Sequence, residues 1–144
     1  MKTVNEMKLS LPSKSCNEAF ARSAVSAFIM NLDPTLNELS DLKTAVSEAV
    51  TNCIVHGYRR RSGTVYISGR ILEGGRVTVK IRDKGCGIAD VAQAMQPLFT
   101  TAADEERAGL GFAVMQSFCD RVRVRSAPDK GTTVTLEKQI GGDE

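Results

Sequence analysis

Several features are scarce in this 144-residue sequence, and each scarcity excludes a class. No apolar run approaches the length needed to span a bilayer, and the N-terminus MKTVNEMKLS does not read as a signal peptide. The four cysteines (Cys16, Cys53, Cys86 and Cys119) are scattered, with no CxxC pair. Two of them sit inside apolar periodic segments, so free thiols in a reducing cytoplasm are expected rather than disulfides or a metal site. Net charge is only +2, too small to argue for nucleic acid by bulk electrostatics, and Arg59–Arg61 read as a solvated loop. Internal repeats, low-complexity tracts and linkers are absent from the sequence. What remains is ordinary for a soluble globular chain: 42% hydrophobic and 25% charged residues, enough for one domain over 1–144 with a real core.

The organising stretch is LKTAVSEAVTNCIVHGY, 42–58. Leu42, Ala45, Val46, Ala49, Val50, Cys53 and Ile54 fall at the spacing of one helical face. At about 100° per residue, Glu48 and Asn52 project together along one edge of that stripe. They are expected at the lip between core and solvent, either as two ordinary flank residues or as groups facing a ligand. Gly57 sits where a left-handed helix cap is favoured. His56, the one histidine, falls nearer the middle of the stripe and reads as a packing residue.

Along the chain, alternation of Met7, Leu9 and Leu11 predicts a strand over 5–11, ended by Pro12. Ser13 or Ser15 can cap a helix over 16–31 with apolar Phe20, Ala24, Val25, Phe28 and Ile29, broken at Asp33-Pro34. Thr35 or Asn37 can cap the central helix. A strand over 63–73, a Glu73-Gly74-Gly75 turn and a partner strand through Ile81 form a hairpin. A short helix is expected over 90–94 and a mobile loop over 99–108. A further helix opens at Gly109–Gly111, and two strands are joined at Pro128–Gly131. The tail, 140–144, is expected to be disordered. This β-α-α-β-β-α-α-β-β order predicts a two-layer α/β sandwich: one mixed, mostly antiparallel sheet covered on one face by helices.

Three local patterns carry chemistry. Asp83, at the end of a buried strand, is followed by Gly85 and Gly87. A shielded carboxylate there can accept a hydrogen bond from an exocyclic amine such as adenine's, and glycines let the backbone approach a flat ring; a plain β-turn is the competing account. Gly109-Leu110-Gly111 at a helix start would offer free N–H groups to phosphate, with Arg107 adding charge; a simple helix cap competes. Asn52 can give a carbonyl oxygen to Mg²⁺, and Glu48, one turn away, can accept a proton from an attacking hydroxyl or water. For Cys86 nothing nearby argues for a reactive thiolate.

SEAVTNCIVHGY, DKGCGI and RAGLGF resemble the three ATP-site boxes of the gyrase, Hsp90, histidine-kinase and MutL superfamily. Over about residues 5–138, with NEMKLSLPS, NEAFARSAVSAFIMNLDPT, QPLFTT and GTTVTLEK, the chain resembles the sporulation branch of its anti-sigma serine kinases. That resemblance implies a Bergerat-type ATP-binding fold with Glu48 as the activating acid and Asn52 as the Mg²⁺ ligand. It makes Asp83 the adenine-reading acid with Gly85 and Gly87 as its loop, and sets Thr100, Thr101 and Arg107 in the lid over ATP. It assigns Gly109, Leu110 and Gly111 to the second glycine loop, Thr133 to the adenine, and Arg22 with Glu18 to partner docking. Ala108 stands where the superfamily often has a further glycine, a substitution usual in the anti-sigma branch. The function implied is that of an ATP- or ADP-bound homodimer that holds a sigma factor of the sigma F type away from RNA polymerase. It would also phosphorylate a serine of a small anti-anti-sigma protein, without direct contact to nucleic acid or membrane. A general-stress anti-sigma kinase, an excised histidine-kinase catalytic domain and a non-catalytic sigma-binding module are the rival expectations. The protein-kinase signature set is absent from the sequence, as expected of a kinase on a different fold.

Overall fold

The computed structural model describes residues 2–95 and 103–141, the side chains of 103–109 excepted. Element order is β1 (Thr3–Pro12), α1 (Cys16–Ile29), α2 (Leu36–Asn52), β2 (Thr64–Leu72), β3 (Arg76–Asp83), α3 (Val91–Ala94), α4 (Ala103–Phe118), β4 (Arg121–Ala127) and β5 (Gly131–Gln139). A 3₁₀ turn, Met30–Leu32, follows α1, and a π turn, Cys53–Gly57, continues α2. The strands form one sheet in the order β1-β2-β3-β5-β4. The two-layer arrangement matches the expectation, but all four pairings are antiparallel, so the parallel component of the expected mixed sheet is not found.

Strand alternation separates the sheet's faces. Val65, Ile67 and Ile71 of β2, Val77, Val79 and Ile81 of β3, and Val134 and Leu136 of β5 are buried. They meet Ala21, Val25 and Ile29 of α1, the α2 stripe, and Phe112 and Met115 of α4. All seven residues of the α2 stripe, Leu42 through Ile54, are buried as their spacing required. The other face holds Lys80, Arg82, Arg123 and Arg125, all exposed.

Local chemistry fixes the frame of α2. Thr35 accepts the Glu38 backbone N–H (3.0 Å) while the Glu38 carboxylate accepts the Thr35 N–H (2.8 Å), a reciprocal capping box. These bonds hold the Glu38 pKa below the ordinary carboxylate value. Glu38 Oε2 also accepts the Gly141 N–H (3.1 Å), and Ile140 is buried, its N–H on the Gly75 carbonyl. The tail expected to be free from 140 is therefore anchored through 141.

Other expectations shift. On α1, Phe20 is 53% exposed and Ala21 takes the buried position. The 3.6-residue phase set by Val25 and Ile29 selects 21, not 20. α4 begins at Ala103, so Gly109–Gly111 lie inside the helix rather than opening it. Nothing in the sequence ADEERA breaks a helix, and acidic residues favour a first turn. The expected loop over 99–108 is thus helical from 103; its earlier part, with Thr100 and Thr101, lies outside the described residues.

Replacing Thr35 by Ala should cost about 1 kcal/mol of stability, the usual worth of an N-cap side chain. Urea denaturation followed by circular dichroism measures this; an unchanged midpoint would remove the capping box from the account of α2.

Candidate functional site

Glu48 and Asn52 reach the same spot from consecutive turns of α2, and both are half-buried. A Cβ built on Gly111 of α4 would lie 3.1 Å from Glu48 Oε2 and 3.3 Å from both Asn52 Nδ2 and Oδ1. The carboxylate and the amide therefore converge on bare backbone. A glycine inside a helix costs up to about 1 kcal/mol against alanine, and this close approach is its structural reason. Asn52 Nδ2 is buried and has no hydrogen-bond partner among the described residues. An unmet buried donor costs roughly 1–3 kcal/mol, so the amide is poised for a contact that the described residues do not supply.

The π turn carries the helix from Asn52 to the end of β3. There Asp83 is only 3% exposed. Burial pushes its pKa up; hydrogen bonds from the Gly85 N–H (2.9 Å to Oδ1), the Cys53 thiol and the Thr132 backbone partly offset that rise. Burial likewise drives the Cys53 thiol far up, with the Asp83 charge adding to it, so Cys53 stays a protonated donor. A Cβ on Gly57 would stand 2.7 Å from the Asp83 carboxyl carbon and Oδ2. Gly57 is not the left-handed cap its position suggested: the positive φ angles fall on Arg59 and Arg60. Its bare Cα instead makes room for the carboxylate.

The loop after Asp83 is pinned from both sides. Cys86 donates its N–H to the Gly57 carbonyl (2.9 Å) and its thiol to the His56 carbonyl (3.2 Å). On the other side, the Asp129 N–H reaches the Cys86 carbonyl (2.7 Å) and the Ile88 N–H reaches Ser126 Oγ (2.7 Å). Side chains at Gly85 and Gly87 would collide with the carbonyls of Gly57 and Ala127, and Gly87 has φ 74°. Both glycines are thus demanded by the chain's own backbone. His56 is half-buried, outside the apolar core.

The register corrects one assignment. Thr133 pairs with Arg82 and Arg125 on the open sheet face, away from Asp83. Its neighbour Thr132 is the Cα partner of Asp83, and its hydroxyl lies 2.8 Å from Ser126 Oγ. Period-two alternation from Val134 and Leu136 puts 132, not 133, on the helix-covered side. Of the remaining candidates, Leu110 is 54% exposed, and the Arg107 side chain lies outside the described residues. Arg22 and Glu18 pair on α1 (3.4 Å), with the guanidinium 3.5 Å from Ser47 Oγ, beside Glu48 in the chain.

One helix edge therefore carries a proton-accepting carboxylate and an amide, and its end abuts a shielded acid able to take a donor from a ligand. This arrangement suits an elongated ligand with a hydrogen-bonding base at one end and oxygen-rich groups at the other. A profile of the histidine kinase-like ATPase domain family matches residues 12–138, and the chain belongs to that family, in its anti-sigma F factor branch. An anti-sigma F factor from Thermoanaerobacter sp. (strain X514) is 53% identical over 144 residues, the whole of both chains. One from Caldanaerobacter subterraneus subsp. tengcongensis is 55% identical over 137 residues, 95% of each. One from Clostridium botulinum (strain Eklund 17B / Type B) is 52% identical over 137 residues, 94% of this chain and 95% of the relative. Among solved structures, the RsbU and RsbW domains of a Mycobacterium tuberculosis protein superpose with TM-score 0.69 at 18% identity. The match covers 95% of this chain but 33% of that longer one. A blue-light activated histidine kinase from Erythrobacter litoralis gives 0.58 at 20% identity, over 76% of this chain and 32% of the kinase. Those two likenesses bear on the fold alone. Among the described residues, no helix is long and apolar enough to cross a membrane.

Asp83 sets a pH test. Its raised pKa means the folded state holds the proton more tightly than the unfolded chain, which titrates near ~3.9. The stabilising contribution is complete below that value and lost as pH rises through the folded pKa, so ionised Asp83 weakens the fold at neutral pH. Asp83→Asn should therefore raise the urea midpoint at pH 7 relative to wild type, with the gap closing towards pH 4. A gap that widens in acid would contradict the assigned sign.

Proposed function

We propose that the protein is an ATP-dependent anti-sigma kinase: it sequesters a sigma factor of the sigma F type and phosphorylates a serine of an anti-anti-sigma protein. The observation that carries this reading is the convergence of Glu48 and Asn52, its buried amide nitrogen unpaired among the described residues, on the backbone of Gly111. Relatives named anti-sigma F factor at more than half identity support the sigma factor as partner.

In this reading Asp83 accepts the amine of adenine at the closed end of the site. Glu48 takes the proton from the attacking serine hydroxyl. The donor set fits Mg²⁺: the Asn52 amide oxygen is a hard oxygen ligand, held with Glu48 against the bare backbone of Gly111. One amide oxygen from Asn52, completed by phosphate oxygens and water, is the kind of site that this ion accepts. Bound Mg²⁺ would neutralise charge on the transferring phosphoryl group, with Arg107 assigned to the terminal phosphate. Thr100, Thr101 and the segment from Gly109 to Gly111 are assigned to the phosphate side, and Thr132 replaces Thr133 beside the base.

Arg22 and Glu18 serve as the docking pair for both protein partners, in a homodimer working in the cytoplasm. Glu48, as an acid set against the site, favours a kinase over a non-catalytic sigma-binding module.

Incubation with Mg-ATP carrying a γ-phosphate label and an anti-anti-sigma protein tests the reading. Label on a partner serine is expected. In Glu48→Gln, transfer should fall by roughly 10²–10⁴-fold, the typical worth of a general base, while ATP still binds. Transfer at the wild-type rate would remove Glu48 from the base role. In Arg22→Ala, pull-down of both partners should fail while ATP affinity is kept; retained partner binding would sink the docking assignment.

A further inference from the structure

Tyr58 belongs to neither the buried stripe nor the groups assigned to chemistry, yet it touches the acid's own backbone. Its phenol donates to the Thr64 carbonyl at the start of β2 (2.6 Å). The same oxygen accepts the N–H of Lys84, the residue after Asp83, at 2.7 Å. Its ring lies flat against Gly63, where any Cβ would strike the ring carbons, so the ring has little room to turn. The oxygen is thus fixed by packing on one side and by two backbone groups on the other.

We infer that Tyr58 is a positioning residue for base selectivity: its hydroxyl orients the Asp83–Lys84 peptide so that the Asp83 carboxylate faces the base-binding end of the site. The Cys53 thiol and the Thr132 backbone also bond the carboxylate, but neither holds the N–H of the peptide that follows it. Asp83 Oδ1 is committed to the Gly85 N–H, within the same short loop. That bond sets the carboxylate relative to residues 84 and 85, but not relative to the rest of the protein. The Cys86 N–H bond to the Gly57 carbonyl anchors the loop three residues on. Among the described residues only the phenol bonds the N–H of the peptide directly after the acid, and it refers that N–H to β2, outside the loop. Without the hydroxyl, the Lys84 N–H loses its partner among the described residues, and the peptide is freer to rotate. A carboxylate that must meet one exocyclic amine is sensitive to such rotation, because hydrogen bonds weaken steeply away from linearity. Contacts at the Glu48 and Asn52 end do not depend on that peptide.

This inference rests on the ATP reading above, so its test carries a readout independent of nucleotide. In Tyr58→Phe, ring packing against Gly63 is kept and only the hydroxyl is lost. Amide hydrogen exchange at Lys84 and Gly85 should speed up by roughly tenfold, while the α2 amides stay protected. Binding of ATP and GTP, measured by calorimetry, should show ATP affinity falling by roughly three- to tenfold with GTP affinity little changed, so the ratio between them narrows. Catalytic rate at saturating ATP should stay near wild type while KM for ATP rises. Unchanged exchange at Lys84 overturns the inference. Equal losses for ATP and GTP also overturn it, since a merely structural hydroxyl would act on both. Wild-type protein that binds neither nucleotide, with the exchange effect present, would overturn the ATP reading while leaving the positioning of Asp83 established. If Tyr58→Phe lowers stability too far, Thr64→Pro is no substitute because the bond uses the Thr64 carbonyl; the same comparison made at lower temperature keeps the test valid.

Discussion

A carboxylate shut inside the end of a β-sheet is unfavourable, and much of this structure is arranged around keeping one there. Asp83 can sit 3% exposed only because the π turn after α2 brings a glycine, not a side chain, against it. π turns occur mostly as single turns within helices and often at functional positions. Here the extra width of Cys53–Gly57 aims the Cys53 thiol and the bare Cα of Gly57 at the same carboxylate. The helix bearing Glu48 and Asn52 and the loop bearing the acid thereby become one unit. The acid is left with less compensation than its burial demands, which its raised pKa expresses. Such deficits cluster where side chains meet ligands, though structural networks produce them too.

The remaining ion pairs show the contrast. Glu137 is also partly buried, but Arg123 at 2.6 Å and Arg76 at 3.4 Å overcome the desolvation and hold its pKa low. That group supports the fold at neutral pH and loses its contribution as pH falls. Asp83 behaves in the opposite sense because its partners are a thiol and backbone N–H groups. Neutral donors cannot offset the loss of water around a full charge.

How much of this was legible depended on whether the deciding contact was local. The α2 stripe and the Thr35 cap were readable because helical period and capping chemistry act within a few residues. Thr132 was readable in principle, since two-residue alternation from Val134 fixes its face, but proximity to the resembling motif pointed to Thr133. Phe20 was misplaced because a large ring outweighs a small alanine in an apolar count, whereas phase decides burial. Gly57 was beyond sequence reasoning: its reason is Asp83, 26 residues later, and a glycine at a helix end looks the same whether it turns the chain or makes room. The start of α4 was misjudged for a related cause. Glycines at 109 and 111 suggested a helix opening, yet Gly111 is glycine because Glu48 and Asn52 press against it.

These two close approaches, Gly57 on Asp83 and Gly111 on Glu48 with Asn52, lie on the same helical unit but serve different ends of it. A change at either glycine would therefore act locally in the sequence and selectively in function. A methyl at 57 meets a buried charge that has no room to retreat, because Gly85 N–H and the Cys86–Gly57 bond hold the loop closed. A methyl at 111 meets the ends of two half-buried side chains, which can turn aside. The first substitution must displace backbone and should disturb the fold around Asp83. The second should leave the fold nearly intact and favour α4 through helix propensity, while separating the acid from the amide. Overpacking thus distinguishes the rigid end at Asp83 from the adjustable end at Glu48 and Asn52 more sharply than deleting either acid would.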